Sequence, residues 1–445
     1  MINKRELALL QDALATLEEG ESRLPEFTPA FDDGAAADVL ARVAERMQDN
    51  YPYYHPQYAG QMLKPPHPVA RMAYALSLWV NPNNHALDGG RASSAMEKEC
   101  IVELGRLFGW DNPLGHLAGG GTMANLEALW VSGRLHPGKR VIASQQAHYT
   151  HSRISEVLGI PFAAAAVDDR GRMDAAAVEA QLADGDVGTV VVTIGNTGLG
   201  SLDSLPEILR LREKYEFRIH ADAAYGGYFG LASELDDNSR SVFDVLGEVD
   251  SIVIDPHKHG LQPYGCGCVL FRDPSVGALY KHDSPYTYFS SGDLHLGEIT
   301  LECSRPGASA VALWATQQLM PLVPGGEFAA GLDACLRAAR MFWQNLDNGS
   351  TFTPLMRPEL DIVVYAVNAA STSESSTRAR QVFDEAAKRE LHLALVELPV
   401  EFVGRYAPEI EVDSETITCL RSVLMKPEHE DWLERITALL EASAK

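Results

Sequence analysis

Three shortages narrow this 445-residue sequence before any motif is read. Cysteine is scarce: there are six, none in a CxxC pair, and Cys266-x-Cys268 is too tight for the usual zinc spacing. No disulfide framework and no metal site is expected. Cys100, Cys266, Cys268, Cys303, Cys335 and Cys419 read as reduced, buried thiols of a cytoplasmic protein. Long apolar runs are lacking, since none reaches the roughly 20 residues that cross a bilayer. The opening Met-Ile-Asn-Lys-Arg-Glu-Leu leads into an amphipathic helix, not into an apolar signal core. The sequon at Asn348-Gly349-Ser350 is then without consequence. Positive charge is also scarce: 37 Lys and Arg face 61 Asp and Glu, for a net charge of -24. Nucleic acid and anionic membrane surfaces are disfavoured as partners, because both repel an acidic face. The surplus does not argue for a cationic substrate, since surface charge mostly serves solubility.

What is present is a soluble globular composition, 46% hydrophobic and 22% charged. The chain is long enough for two or three domains and a large core. Residues 1 to about 20 read as a helix with Leu9, Leu10, Leu14 and Leu17 at helical spacing, and residues 37–49 as another. Between Tyr51 and Pro68, five prolines disfavour helix, which leaves a packed arm or a pocket segment. From residue 68 to 323, helices such as 122–134 and 203–215 alternate with short apolar strands. The clearest strands are 141–144, 189–193, 217–220, 251–254 and 267–271. This alternation predicts an α/β domain with a mostly parallel central sheet, covered on both faces, and with ligands at the carboxyl ends of its strands. Pro321 to Gly326 reads as a hinge. Beyond it, a helix at 327–346, strands near 361–367 and 416–424 and a helix at 428–443 predict a smaller α+β domain over 324–445. Residues 1–67 form a helical arm and pocket segment, and Ser371–Ser376 reads as a polar loop.

Two runs carry the most chemistry. In Ser-Ile-Val-Ile-Asp-Pro-His-Lys-His-Gly, residues 251–260, Lys258 follows an apolar strand and suits an imine with a carbonyl cofactor. In His-Ala-Asp-Ala-Ala-Tyr-Gly-Gly, residues 220–227, Asp222 ends another apolar strand and suits a protonated pyridine nitrogen. Those are the two protein groups that pyridoxal 5'-phosphate (PLP) needs most. Plainer readings exist: Asp222 as a helix N-cap, and Lys258 as a surface lysine, although the apolar strand before it leaves little solvent there. Gly119-Gly120-Gly121-Thr122 precedes a helical run, so backbone N–H groups, a helix dipole and a hydroxyl can meet a phosphate. A tight strand-to-helix turn reads equally well. His148 follows the strand at 141–144, where an imidazole can stack on a flat ring and move protons. His151 competes with it, and for either the plainer reading is a hydrogen-bonded structural residue.

The ordered set Gly-Gly-Gly-Thr-x-Ala-Asn, Gln-Ala-His-Tyr, Thr-x-Gly-Asn-Thr, His-Ala-Asp-Ala-Ala-Tyr-Gly-Gly and Asp-Pro-His-Lys resembles the group II PLP-dependent amino-acid decarboxylases. That family includes the glutamate, aromatic-amino-acid and tyrosine decarboxylases. The resemblance runs from about His55 to Pro427. It implies fold type I, the aspartate aminotransferase-like architecture, with PLP as cofactor. It also implies a homodimer whose amino-terminal helices wrap the partner and whose catalytic loop reaches the neighbouring site. By resemblance, Lys258 forms the imine, Asp222 pairs with the pyridine nitrogen, Ala224 packs under the ring and His148 stacks on its other face. Gly121, Thr122 and His257 hold the phosphate. Thr197 lies near the cofactor, preceded by Asn196 where many members have threonine. Tyr286, in Asp-Ser-Pro-Tyr-Thr-Tyr-Phe (residues 283–289), falls in the mobile loop and returns a proton after carbon dioxide leaves; Tyr288 is a near rival. Arg421 matches a small-domain arginine that binds a substrate carboxylate, with a surface arginine as its plainer reading. His55 and Tyr58 match a segment that lines the substrate end of the pocket.

The reaction implied is decarboxylation of an L-amino acid to its amine. An aromatic substrate is expected ahead of an acidic one, because Tyr51-Pro-Tyr-Tyr-His-Pro-Gln-Tyr58 could offer flat, mostly apolar walls. Two alternatives keep the cofactor and break another bond: a carbon–carbon lyase or aldolase, and an aminotransferase. A third is a non-catalytic protein of the same fold, against which the retained lysine, aspartate, histidines and loop tyrosine speak.

Overall fold

The structure is a computed structural model that describes residues 4–25, 27, 30–281 and 295–445. Tyr286 and Tyr288 lie outside the described residues.

Strands β1 (Leu114–Ala118), β2 (Arg140–Ser144), β3 (Phe162–Ala165), β4 (Val187–Thr193), β5 (Arg218–Asp222), β6 (Ser251–Ile254) and β7 (Gly267–Phe271) form one sheet in the order β1-β7-β6-β5-β4-β2-β3. β2 to β6 pair in parallel, and β7 runs antiparallel to both β6 and β1. Every residue of β4, β6 and β7 is buried, as a sheet covered on both faces requires. Within this sheet, β1 and β3 are the strands that sequence patterning did not single out. Leu-Gly-His-Leu-Ala and Phe-Ala-Ala-Ala are short and lack β-branched residues, so local preference gives them no signal.

A second sheet joins β8 (Phe352–Pro354), β9 (Ile362–Val367), β10 (Ala394–Pro399) and β11 (Thr416–Val423), all antiparallel, in the order β10-β11-β9-β8. Here β8 and β10 are the strands that patterning did not single out. Helices Glu327–Asp347, Thr372–Ala387 and His429–Ser443 pack against it around Phe342, Tyr365, Leu420 and Leu440. The main core continues into this region, where Ile362, Val364 and Met425 share a cluster with Ile194, Leu199 and Tyr225. Pro321–Gly326, expected as a hinge, is a short turn between helices Ala308–Leu319 and Glu327–Asp347.

Two expectations are corrected. Ser371–Ser376 is not a loop. Ser371 is an N-cap whose side chain accepts the Glu374 N–H, and the helix begins at Thr372. Cys303 is exposed, whereas the other five cysteines are buried, and all six are free. At the amino end, helices Lys4–Gly20 and Asp33–Met47 contain no buried residue. Among the described residues no helix is long and apolar enough to cross a membrane.

Candidate active site

The parallel strands deliver their last residues to one rim. Register sets Thr193, the end of β4, beside Asp222, the end of β5, and Asp255 follows β6 directly. Opposite this rim, the helix Gly121–Leu135 begins. Between them lies a cavity of about 520 Å³ lined by Gly121, Thr122, His148, Thr197, Asp222, Ala224, His257 and Lys258. Residues more than 100 positions apart in sequence, all singled out above, therefore share one surface. Tyr225, Asp255, Thr193, Thr150 and Glu302 join them.

The glycine run is built for close approach. Gly120 has φ 151°, which side-chain-bearing residues rarely adopt, and a Cβ on Gly121 would stand 2.7 Å from the Asp255 carboxylate. The start of the helix thus exposes unpaired N–H groups and the positive end of its dipole to the cavity. Among the described residues, His257 Nδ1 and Thr193 Oγ1 are buried without a hydrogen-bond partner. A dianionic phosphate at this end would meet N–H donors, the Thr122 hydroxyl and the His257 ring, so the residues present fit the phosphate of PLP. Lys258 is less enclosed than its strand context suggested, with its side chain 21% exposed and its amine 3.2 Å from Asp255 Oδ2. Asp255 was quoted in the motif but given no role.

Asp222 is 6% exposed and heavily engaged. Its Oδ2 accepts from His151 Nε2 at 2.8 Å and from Asn125 Nδ2 at 3.3 Å, and its Oδ1 accepts the Ala224 N–H at 3.2 Å. Burial opposes its ionisation, but the His151 hydrogen bond and the nearby His151 and Lys258 charges outweigh it and hold the carboxyl below its usual range. Behind it, His220 Nε2 lies 2.8 Å from Asn125 Oδ1 and His220 Nδ1 lies 2.9 Å from Ser251 Oγ. Burial drives the His220 pKa down to about 3, so the ring is neutral. The hydrogen-bond order then puts its proton on Nε2, where it is donated to Asn125. His151 thus differs from His148: it supports Asp222 from behind, while His148 faces the cavity. Burial lowers the pKa of His148, and its Nδ1 is 2.8 Å from Thr150 Oγ1.

The substrate-side residues fall differently. Arg421, on β11, is 4% exposed and donates to the Thr197 carbonyl at 2.7 Å and to Gln61 Oε1 at 2.6 Å. Among the described residues its hydrogen bond to the cavity lining is the one to Thr197. Asn196 is buried and spends its amide on Leu199 N–H and the Gly171 carbonyl, which shapes the loop that carries Thr197. Tyr58 is buried against Tyr53 and does not line the cavity; its hydroxyl accepts the Gln61 N–H. His55 packs edge-on against Trp432 of the last helix, also away from the cavity. The aromatic run is thus a packed arm, joined to the lining residue Thr197 through Gln61 and Arg421.

The chain matches the family model of the pyridoxal-dependent decarboxylase conserved domain over residues 124–368, more than half its length. It belongs to the pyridoxal-dependent decarboxylases and is a PLP-dependent amino-acid decarboxylase. It is a lyase of the carboxy-lyase kind, and the aldolase-type, aminotransferase and non-catalytic readings fall away. It is 26% identical over 460 residues to an L-tyrosine decarboxylase of Enterococcus faecium, covering 79% of this chain and 75% of that one. It is 28% identical over 351 residues to an L-aspartate decarboxylase of Thermococcus kodakarensis, covering 77% and 88%. Among solved structures it resembles mouse CSAD, with a TM-score of 0.80 at 19% identity over 100% of this chain and 92% of that one. It also resembles Oryza sativa TDC with PLP and tryptamine, with a TM-score of 0.79 at 15% identity over 99% and 97%. These likenesses show the fold, PLP-dependent fold type I with its smaller carboxy-terminal domain.

Proposed function

We propose that the protein removes the α-carboxylate of an L-amino acid through the residues of the 520 Å³ cavity. The observation that carries this reading is the convergence of Lys258, Asp222, His148 and the Gly121 helix start on one surface. When bound, PLP supplies an electron-poor ring that takes up the electron pair released as the Cα–carboxylate bond breaks. Lys258 holds the cofactor aldehyde. Gly121, Thr122 and His257 hold the phosphate. Asp222, kept ionised by His151 and Asn125, holds a proton on the pyridine nitrogen. Ala224 and His148, which both line the cavity, would pack against the ring and help orient the bound substrate. Tyr286, with Tyr288 as its rival, returns the proton to Cα. The two helices without a buried residue support a homodimer.

For the substrate side chain the reading is an aromatic ring. Its support is the relative that is an L-tyrosine decarboxylase, since the aromatic run at 51–58 packs away from the cavity. A carboxylate side chain has an observation of its own: Arg421 is buried with no acidic partner at ion-pair distance among the described residues. The experiment has two arms. Borohydride reduction followed by peptide mapping should label Lys258 alone, and label on another lysine defeats the site. Competition between tyrosine and aspartate should then favour tyrosine in kcat/KM. An aspartate preference that disappears in Arg421→Ala reverses the aromatic reading.

A further inference from the structure

A second cavity, of about 370 Å³, lies on the far side of the Lys258 segment, where Lys64, His67, His259, Glu327, Lys426 and Glu428 contribute to its wall. Its two lysines are unusual. Lys426 is only 3% exposed, its amine donates to the Tyr58 carbonyl at 2.6 Å, and it sits 5.2 Å from the centre of the Tyr58 ring. Lys64 donates to the Met425 carbonyl at 3.2 Å. Neither amine has a carboxylate at ion-pair distance among the described residues, and each has donors left over after its single backbone acceptor. Lys426 is buried and Lys64 part-buried; cations drawn from water without counter-ions are costly, and two that face one space also repel each other. The consequence is visible in Lys426: burial first, and then the nearby Lys64 charge, bring its pKa down to about 7. An anion entering the cavity would relieve both effects at once.

The surroundings restrict what that anion is. Glu327 and Glu428 are exposed at the wall, so positive charge is favoured at the opening and negative charge inside. The nearest buried acid, Asp361, is already committed. It accepts the Tyr225 hydroxyl at 2.5 Å and lies 3.2 Å from His259 Nε2. That trio is also the partition between the two cavities, since Tyr225 lines the first and His259 the second.

We propose that this cavity is a second, non-catalytic binding site for a small carboxylate, held by Lys64 and Lys426, with a cationic group tolerated beside Glu327 and Glu428. The inference does not rest on the substrate reading given above. The test is calorimetric titration of the PLP-loaded enzyme with two probes that have no N–H and so cannot condense with the cofactor. One is succinate and the other 4-(trimethylammonio)butanoate. Saturable binding is expected at millimolar concentration, tighter for the zwitterion, with no change in the visible cofactor absorbance. Lys426→Met and Lys64→Met should each weaken it at least tenfold, while cofactor absorbance shows that the fold and the first site are intact. Three results overturn the proposal: no saturable binding by the parent enzyme, binding unchanged in both variants, or binding that shifts the cofactor absorbance and so belongs to the first cavity. A probe-dependent rise in melting temperature that is equal in the parent and in both variants refutes the site as well.

Discussion

Asp222 is held ionised against its own burial, and the protein spends His151, Asn125, His220 and Ser251 on that single charge. Asp222→Asn keeps the shape but removes the charge that stabilises a proton on the pyridine nitrogen, so the electron sink weakens. The variant should retain cofactor absorbance and lose at least about 100-fold in kcat, the scale of removing one preorganised electrostatic group. A near-normal kcat would show that Asp222 is not that partner. The depressed Asp222 pKa also means that its carboxylate stays charged across the neutral range and is lost only when pH falls through its lowered folded value. An acid limb in a kcat profile near pH 6 would therefore belong to another group. At this scale the sequence was informative where chemistry is carried by local motifs. Lys258, Asp222, His257 and Thr122 sit beside glycines, prolines and strand ends that mark them. His151, Asn125 and His220 lay inside quoted motifs, but their roles come from contacts across 71 to 97 positions, which spacing along the chain does not encode.

Elements were legible in proportion to their periodicity. β6 and β7 begin and end where the apolar runs do, and the helix Glu327–Asp347 lies within one residue of its expected bounds. The alanine-rich β3 has no strand preference of its own and is a strand because it pairs with β2. The stretch at 371–376 failed for a different reason. Serine-rich composition suggests a loop, but Ser371-Thr-Ser-Glu374 also has the spacing of a helix start. The structure uses that spacing: Ser371 Oγ takes the Glu374 N–H, and the Glu374 carboxylate takes the Ala370 N–H at 3.1 Å. Ser371→Ala should then cost about 1 kcal/mol in chemical denaturation, with Ser371→Gly closer to the parent. Because the helix Thr372–Ala387 packs on β11, the loss should appear in overall stability and leave kcat unchanged. Equal stability of Ser371→Ala and the parent would mean that the cap is not formed in solution.

For the whole molecule, the described cavity lining and its sheet come from one chain, whereas the amino-terminal arm has an apolar face left uncovered among the described residues. The helix Asp33–Met47 exposes Val39, Leu40, Val43 and Met47 and buries no residue, and Phe31 just before it is 75% exposed. A 15-residue helix of this kind is marginal by itself in water, where packing of an apolar face supplies most helical stability. The face therefore calls for a surface to cover it. A second copy of the chain is the proposed occupant, in keeping with the resemblance that placed these helices around a partner. Light scattering on the purified enzyme should give twice the chain mass at micromolar concentration. Leu40→Glu with Val43→Glu puts two charges on the exposed stripe. It should shift the mass toward one chain or raise the dissociation constant at least tenfold, while far-ultraviolet dichroism stays close to that of the parent. If the catalytic loop serves the neighbouring site, activity per chain should fall in step with the dimer fraction as the variant is diluted, and recover at high concentration. A parent enzyme that is monomeric and fully active under the same conditions would leave the exposed stripe without this explanation and would return the loop to its own chain.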